Sequence, residues 1–171
     1  RLPLPVRSAP GFLVNAVLGP YMLEAMRAVD EGLTPETVDE AMLAFGMPMG
    51  PIELIDMVGL DVAMAAGSSL TGAGATPPAC LLARFNAGHL GKKAGKGFYD
   101  YPNGRPAKGP VGAVPAGLAA RLVKPLLERT QQLVSDGIVA DADLADAGVI
   151  FGTGFAPFTG GPLNYLRNQH A

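Results

Sequence analysis

The sequence predicts an all-α protein made of two tandem copies of one helical unit. Apolar residues recur every three or four positions along most of the chain, and essentially no segment alternates as a strand does. Residues 45–51 are echoed by residues 151–157, and residues 31–33 by residues 136–138. An echo of this length indicates one supersecondary unit used twice around a shared core.

Composition divides the chain into three parts. We expect the first helical unit over residues 1–101 and the second over residues 118–171. Between them, residues 102–117 carry four prolines and four glycines, which is the composition of a linker.

The first element is predicted as a long helix over residues 12–31, because its apolar positions have helical spacing and Gly32 is a good stop. Pro20 cannot donate to the carbonyl of Ala16, so we expect a kink there. The second copy has Pro125 at the matching place.

The second helix has the clearest start signal. Thr34 followed by Pro35 places a hydroxyl at the N-cap and a proline at the first helical position, and Gly46 is expected to end the helix.

Three further helices are predicted before the linker. A short third helix opens at Pro51, a fourth is capped by Asp61 and fades within residues 67–76, and a fifth opens at Pro78. Residues 91–101 are glycine-rich and basic and then aromatic, which predicts a loop leading into a short extended piece.

The second unit repeats this order. A helix with an apolar stripe begins near Leu118, another begins at Asp141, and Pro162 starts a last helical turn.

Composition and charge limit the class of protein. Hydrophobic residues fill 49% of the 171 positions, enough for a core, and the formal net charge of −2 does not indicate a nucleic-acid partner. No apolar run approaches the ~20 residues of a membrane-spanning helix.

The single Cys80 cannot form an internal disulfide, which fits a cytoplasmic protein, and we expect it to be buried or inert. Because the chain begins at Arg1 rather than Met, we expect a piece of a longer protein.

Asn15 is the sharpest candidate for function. It lies among the apolar residues of the first helix, and the matching residue of the second copy is Ala120. A buried amide without partners costs about 1–3 kcal/mol. Asn15 therefore either faces a ligand or a catalytic side chain, or makes a satisfied interhelical hydrogen bond, and the spacing leaves both interpretations open.

Other polar residues are better explained without catalysis. Glu24, Glu53 and Asp56 fit helix-surface or capping carboxylates. His89 and His170 have no Ser, Cys or Asp at triad spacing. The chain has no CxxC or HExxH motif, so we expect no metal site.

The segment Lys92-Lys93-Ala94-Gly95-Lys96-Gly97 lacks the form of a P-loop and predicts a solvated basic turn or, alternatively, a contact to the phosphates of a large acyl carrier. No G-x-G-x-x-G follows a strand anywhere, so the chain does not hold a dinucleotide by that motif.

Three motifs occur in a fixed order: PGFLVN at residues 10–15, PMGPIELIDMVGLD at residues 48–61 and GKGFY at residues 95–99. Together they resemble the C-terminal domain of 3-hydroxyacyl-CoA dehydrogenases, which has the 6-phosphogluconate dehydrogenase C-terminal-domain-like fold. The second copy, with GTGFAPFTGGP at residues 152–162, is similar to the duplicated domain in the α-subunits of fatty-acid oxidation complexes. The resemblance covers nearly the whole chain.

The resemblance implies an active site shared with a domain outside these residues. Members of the family carry an N-terminal Rossmann domain, absent from this chain, that binds NAD and supplies a catalytic His–Glu pair. Asn15 matches the family's active-site asparagine near that His, whereas Ala16 departs from the arginine that the family commonly has there. The acyl-CoA substrate is expected against Phe12, Met49, Gly50, Pro51 and Leu54.

The function implied is the C-terminal portion of an NAD-dependent (S)-3-hydroxyacyl-CoA dehydrogenase, which oxidises 3-hydroxyacyl-CoA to 3-oxoacyl-CoA in cytoplasmic fatty-acid β-oxidation. We expect these residues alone to be inactive. Their partners would be their own Rossmann domain and either a second copy or a thiolase, with no nucleic acid and no membrane span. Two alternatives stay open: a non-catalytic helical module for dimerisation or assembly, and part of a short-chain 3-hydroxybutyryl-CoA dehydrogenase.

Overall fold

The structure, a computed structural model, describes residues 12–70 and 76–169, and these ranges are all-α, as predicted. Eight α-helices and two 3₁₀ turns lie in them, and the only strand-like pairings there are isolated β-bridges between residues 91 and 107. The helices are α1 (Val14–Asp30), α2 (Pro35–Phe45), α3 (Pro51–Val58), α4 (Leu60–Leu70), α5 (Ala79–Asn86), α6 (Leu118–Ser135), α7 (Ala142–Thr153) and α8 (Pro162–Gln169).

Helix α1 lies at the centre of the molecule. It packs most extensively along α6 and also contacts every helix from α2 to α5 and α7. Its buried face includes Val17, Tyr21 and Ala25, which are fully excluded from solvent. Buried residues of α1 to α5 and of α6 to α8 form one hydrophobic cluster, so the two predicted units share a core. Pro20 lies inside α1 and Pro125 inside α6, as predicted.

The local signals for α2 act as expected. The Thr34 hydroxyl accepts a hydrogen bond from the Thr37 amide at 3.2 Å, and Pro35 takes the first helical position. Gly46 ends the helix with a φ of 109°, a left-handed conformation that favours glycine.

Two predicted boundaries need correction. Helix α4 begins at Leu60, so Asp61 lies in its first turn rather than at its cap, and the Asp61 carboxylate pairs with the Lys93 ammonium at 2.6 Å. The final element is longer than one turn, because α8 runs for eight residues after Gly161. The Asp141 side chain caps α7 as predicted, accepting from the Leu144 amide at 2.8 Å.

Residues 102–117 lie along α2. The amide of Gly109 donates to the Glu36 carboxylate at 2.8 Å, and the amide of Gly112 donates to the Thr37 hydroxyl at 3.0 Å. The division into two domains with this segment as linker stays a prediction.

Candidate functional site

The residues that begin α1 present an amide to solvent. Leu13 is buried, whereas Phe12, in a left-handed conformation with a φ of 49°, leaves 57% of its surface exposed. Asn15 is also exposed, and its side chain makes no hydrogen bond within the described part of the chain. Among the described residues, Asn15 is therefore not a hydrogen-bonded interhelical amide, and its role at a catalytic site stays a prediction.

The turn that precedes α3 carries the other predicted site residues. Gly50 and Pro51 are buried, and Met49 and Leu54 are half-buried. Gly50 packs directly against the side chain of Asp39, and a Cβ at this position would collide with it. The turn is therefore fixed by close packing.

The end of α7 contacts both parts of this candidate site. The Val14 side chain packs on Gly152, and Pro48 packs on Gly154. Because Gly152 and Gly154 are only two residues apart, the start of α1 and the turn before α3 meet the same short stretch of chain.

Asp39 is the buried group that anchors this turn. Its carboxylate accepts from the amide of Ile52 at 2.7 Å, the amide of Glu53 at 3.1 Å and the hydroxyl of Tyr99 at 2.8 Å. Burial raises the pKa of Asp39, against the opposing effect of the Tyr99 and Ile52 hydrogen bonds and of the nearby Lys108 ammonium. Asp39 thus fixes the N-terminus of α3.

A second buried carboxylate, Asp56, organises the GKGFY segment. It accepts from the amides of Phe98 at 2.8 Å and Tyr99 at 2.9 Å and from the Tyr101 hydroxyl at 3.1 Å. Burial raises its pKa, and these hydrogen bonds oppose that effect. Gly97 packs against the Asp56 carboxylate so closely that a Cβ would overlap it. The motif therefore acts here as a structural clasp on α3.

Asp39 and Asp56 were not singled out as site residues by sequence reasoning. A signal was available for Asp39, because it stands between Val38 and Ala41 on the apolar face of a capped helix, where an unpaired carboxylate would be costly. Asp56 had been assigned to a surface or capping role, and it is buried.

The remaining candidates have structural roles. Glu24 pairs with Arg121 of α6 at 2.7 Å, and Glu53 pairs with Lys108 at 2.6 Å. Cys80 is half-buried, and burial together with Asp30 raises the pKa of its thiol to about 12, so the thiolate is disfavoured at neutral pH. His89 is half-buried, and His170 lies outside the described residues.

The basic segment forms a short 3₁₀ turn over Lys92–Ala94. The Lys93 ammonium pairs with Asp61, and the Lys96 ammonium pairs with Asp100 at 3.1 Å. Two of the three lysines are thus already matched by carboxylates, which favours the solvated basic turn over a phosphate site.

Within residues 12–70 and 76–169, no group of three or more His, Cys, Asp or Glu side chains is arranged to hold a metal ion. Over the same ranges, no helix has the length and apolar character needed to cross a membrane. These ranges also contain no strand leading into a glycine-rich helix start, so their residues do not form a dinucleotide-binding fold.

Comparison with known proteins identifies the class to which this helical domain belongs. Residues 11–101 match the family model described as "3-hydroxyacyl-CoA dehydrogenase, C-terminal domain". The chain belongs to this family, whose members are NAD-dependent.

Relatives extend the match beyond residue 101. The chain is 36% identical over 186 aligned residues to the fatty acid oxidation complex subunit alpha of Shewanella sp. (strain MR-7), with 97% of this chain and 26% of that protein covered. The chain thus spans about a quarter of the length of this curated relative.

Solved structures share the fold. A 3-hydroxybutyryl-CoA dehydrogenase from Escherichia coli K12 superimposes with a TM-score of 0.76 over 98% of this chain and 54% of its own, at 21% identity. The (S)-3-hydroxybutyryl-CoA dehydrogenase PaaH1 from Ralstonia eutropha is 38% identical over 57% of this chain and 37% of its own, with a TM-score of 0.53.

Proposed function

We propose that the chain forms the substrate-side helical part of an NAD-dependent (S)-3-hydroxyacyl-CoA dehydrogenase that oxidises 3-hydroxyacyl-CoA to 3-oxoacyl-CoA in fatty-acid β-oxidation. The observation that carries the proposal is the exposed amide of Asn15, which has no hydrogen-bond partner in the described part of the chain. The similarity to the Shewanella α-subunit over 97% of the chain supports the same assignment.

The proposed chemistry divides the work between this chain and a Rossmann domain outside it. NAD, held by that domain when bound, accepts the hydride from C3 of the substrate, and a His of the same domain takes the proton of the 3-hydroxyl group. Asn15 orients the reacting group or that His through its amide. Such positioning lowers the barrier without proton transfer by the amide itself.

The acyl part of the substrate is proposed to lie against Phe12, Met49, Gly50, Pro51 and Leu54. Phe12 offers an exposed aromatic ring, and the half-buried Met49 and Leu54 offer apolar surface beside it in the assembled enzyme. Ala16, at the position where arginine is common in the family, is fully buried in the core and contributes packing only.

Replacement of Asn15 tests the proposal. In the full-length protein, Asn15→Ala is expected to lower kcat by about 10²-fold or more, because the amide acts on the reacting groups. Thermal unfolding is expected to be unchanged, because the side chain makes no hydrogen bond among the described residues. Gln131→Ala is the matched control, since it removes another exposed amide, on α6 and outside the residues proposed for the site, and should leave kcat as it was.

Unchanged kinetics of Asn15→Ala would remove the observation on which the proposal rests. That result, with an intact fold, would favour the non-catalytic module for dimerisation or assembly instead.

A second, narrower function is favoured by one comparison. The 38% identity to the (S)-3-hydroxybutyryl-CoA dehydrogenase of Ralstonia eutropha supports a preference for short acyl chains. The ratio of kcat/KM for 3-hydroxybutyryl-CoA to that for a long-chain 3-hydroxyacyl-CoA distinguishes the two functions.

Partner surfaces are proposed beside the site. The Rossmann domain would cover the exposed start of α1. A second copy or a thiolase would cover the apolar residues exposed on α3 to α5, which form a surface of the kind that marks protein interfaces. These residues are Met57, Val58, Val62, Leu82 and Phe85. We place the protein in the cytoplasm.

We also infer that the two halves are copies of one unit. Asp39 of α2 accepts from the first amides of α3, and Asp146 of α7 accepts from those of α8 at 2.7 and 3.0 Å. In both halves a glycine, Gly50 or Gly161, packs against the carboxylate and precedes a helix-opening proline. These contacts support a duplication that shares a core.

A further inference from the structure

A cavity of about 330 Å³ opens between α7 and α8. We call it the α7–α8 pocket. Its walls combine charged and apolar side chains, and Phe151 is 81% exposed at its edge. The residues that matter for what it can bind are Asp143, Asp146, Ile150, Phe151, Asn164 and Arg167.

The four polar residues of the pocket have counterparts in the first half. Asp146 corresponds to Asp39, because each caps the following helix, and Asn164 corresponds to Glu53, because each donates its amide to that carboxylate. Asp143 lies three residues before Asp146, as Glu36 lies three before Asp39. Arg167 lies three residues after Asn164, as Asp56 lies three after Glu53.

In the first half, one irregular segment, which turns back on itself through a bridge between Asp100 and Ala107, covers all four counterparts. The segment is residues 98–109. Its Gly109 amide donates to Glu36, and its Tyr99 hydroxyl donates to Asp39. Its Lys108 ammonium pairs with Glu53, and its Phe98 and Tyr99 amides donate to Asp56. The polar side chains on this surface of α2 and α3 thus bond to another segment of the chain rather than to solvent.

In the second half, no described segment covers the matching surface. Asp146 keeps its two amide donors. The Arg167 guanidinium lies 3.7 Å from Asp146 and 3.8 Å from Asp143, and no described hydroxyl donates to Asp146. Asp146 lines the pocket although its side chain is only 6% exposed, and the described part of the chain has no counterpart there to the Tyr99 hydroxyl that donates to Asp39.

We propose that the α7–α8 pocket binds a segment of a partner polypeptide that carries a tyrosine. The tyrosine hydroxyl donates to Asp146, its ring packs on Ile150 and Phe151, and a backbone amide of the partner donates to Asp143, as the Gly109 amide donates to Glu36. Arg167 stands where the first half has Asp56, and it donates hydrogen bonds where Asp56 accepts them. The partner must therefore offer Arg167 a carboxylate or a backbone carbonyl rather than an amide. This proposal rests on the inferred correspondence of the two halves and is independent of dehydrogenase activity.

A peptide with the sequence of residues 97–109 is the probe, because in the first half its Tyr99 hydroxyl donates to Asp39 and its Gly109 amide donates to Glu36. Fluorescence anisotropy of the labelled peptide with the full-length protein measures binding. Phe151→Ala and Arg167→Ala are each expected to weaken binding at least tenfold, and so is a probe with phenylalanine at the position of Tyr99.

Both protein variants alter exposed side chains, so they are expected to fold. Phe158→Ala is the matched control, since Phe158 is 79% exposed and does not line the pocket. Glu36→Ala removes the acceptor of the Gly109 amide in the first half. It therefore weakens binding of the probe only where the probe displaces the native segment from the first half. The proposal is overturned by an absence of binding at millimolar peptide, by equal binding of the two probes, or by binding that only Glu36→Ala weakens.

Discussion

At the scale of single residues, the most informative features are side-chain oxygen atoms that are buried in the core. Asp39, Asp56 and Asp146 are almost fully excluded from solvent, and each receives two backbone amides, which offset the cost of burying a carboxylate. Tyr21 is the contrasting case, because its hydroxyl is buried and has no hydrogen-bond partner among the described residues.

Removal of the Tyr21 hydroxyl is expected to stabilise the fold. Tyr21→Phe keeps the ring in the core and removes the desolvation penalty of the hydroxyl, so the free energy of unfolding in urea should rise by about 1 kcal/mol. Tyr99→Phe makes the same chemical change where the hydroxyl donates to Asp39, and it should lower that free energy by about 1–3 kcal/mol. Loss of stability in Tyr21→Phe would show that its hydroxyl is bonded.

Asn15 shows what the residue scale contributes to the candidate site. Its position among apolar residues of the sequence suggested burial, whereas the structure leaves it exposed at the first turn of α1. Periodicity indicates which face of a helix is buried, but it does not indicate where, along that face, the neighbouring elements stop.

At the scale of elements, the segment from Gly91 to Tyr101 depends on contacts with α3. Gly91 packs on the carbonyl of Asp56, and Gly97 packs on its carboxylate. The Arg84 guanidinium lies 4.1 Å from the centroid of the Phe98 ring and holds the same segment to α5. A segment with little secondary structure is thereby fixed at both of its ends.

Gly97→Ala is expected to destabilise this clasp. The added Cβ would overlap the Asp56 carboxylate and lie about 2.7 Å from the Gly91 Cα, so the free energy of unfolding in urea should fall by about 1–3 kcal/mol. Gly109→Ala is the control, because its Cβ would meet only the end of the Glu36 side chain and should change stability by less than about 0.5 kcal/mol. Equal effects of the two substitutions would contradict the close packing at Gly97.

The register of the internal echo also belongs to this scale. The sequence aligns Pro51 with Pro157, but Pro51 opens α3 after a glycine that packs on Asp39, and the residue with that role in the second half is Pro162. Matching residue types align the Phe-Gly pairs of the two copies, whereas matching capping contacts align their helices. The predicted repeat therefore has one register by residue type and another by capping contacts over this stretch.

At the scale of the whole molecule, the two halves are held together along α1 and α6. Arg121 of α6 pairs with Glu24 at 2.7 Å and with Glu31 at 2.6 Å. Beneath these ion pairs lies the apolar core shared by both halves. Because surface ion pairs contribute little on their own, the core and not Arg121 supplies most of the stability of this interface.

The pH dependence of stability follows from the three buried aspartates. Burial raises the pKa of Asp39, Asp56 and Asp146, so the folded state keeps their protons to higher pH than the unfolded state does. Their stabilising contribution is present below the ordinary pKa of 3.8 and is lost as pH rises through the raised values. Two exposed carboxylates act in the opposite sense, because Arg121 lowers the pKa of Glu31 and Lys93 lowers that of Asp61.

We expect the buried groups to dominate, because solvent screens the exposed pairs. The free energy of unfolding in urea should therefore fall over the pH interval directly above the ordinary aspartate pKa of about 4. Asp146→Asn should flatten this slope, and Glu128→Gln, at a largely exposed position away from the three aspartates, should leave it unchanged. A free energy that rises through this interval in the unmodified protein would refute the expectation.

The sequence by itself determined the helices and the family. Prolines, caps and glycines act within a few residues, so the starts of α2, α3 and α7 were predictable, and the ordered motifs indicated a 3-hydroxyacyl-CoA dehydrogenase domain before any coordinates. Only the tertiary structure decided which carboxylates are buried, that Asn15 is exposed, and that a pocket lies between α7 and α8. The surroundings of Asp56 and Asp39, for example, depend on contacts with Tyr99, 43 and 60 positions away, and no local pattern encodes such contacts.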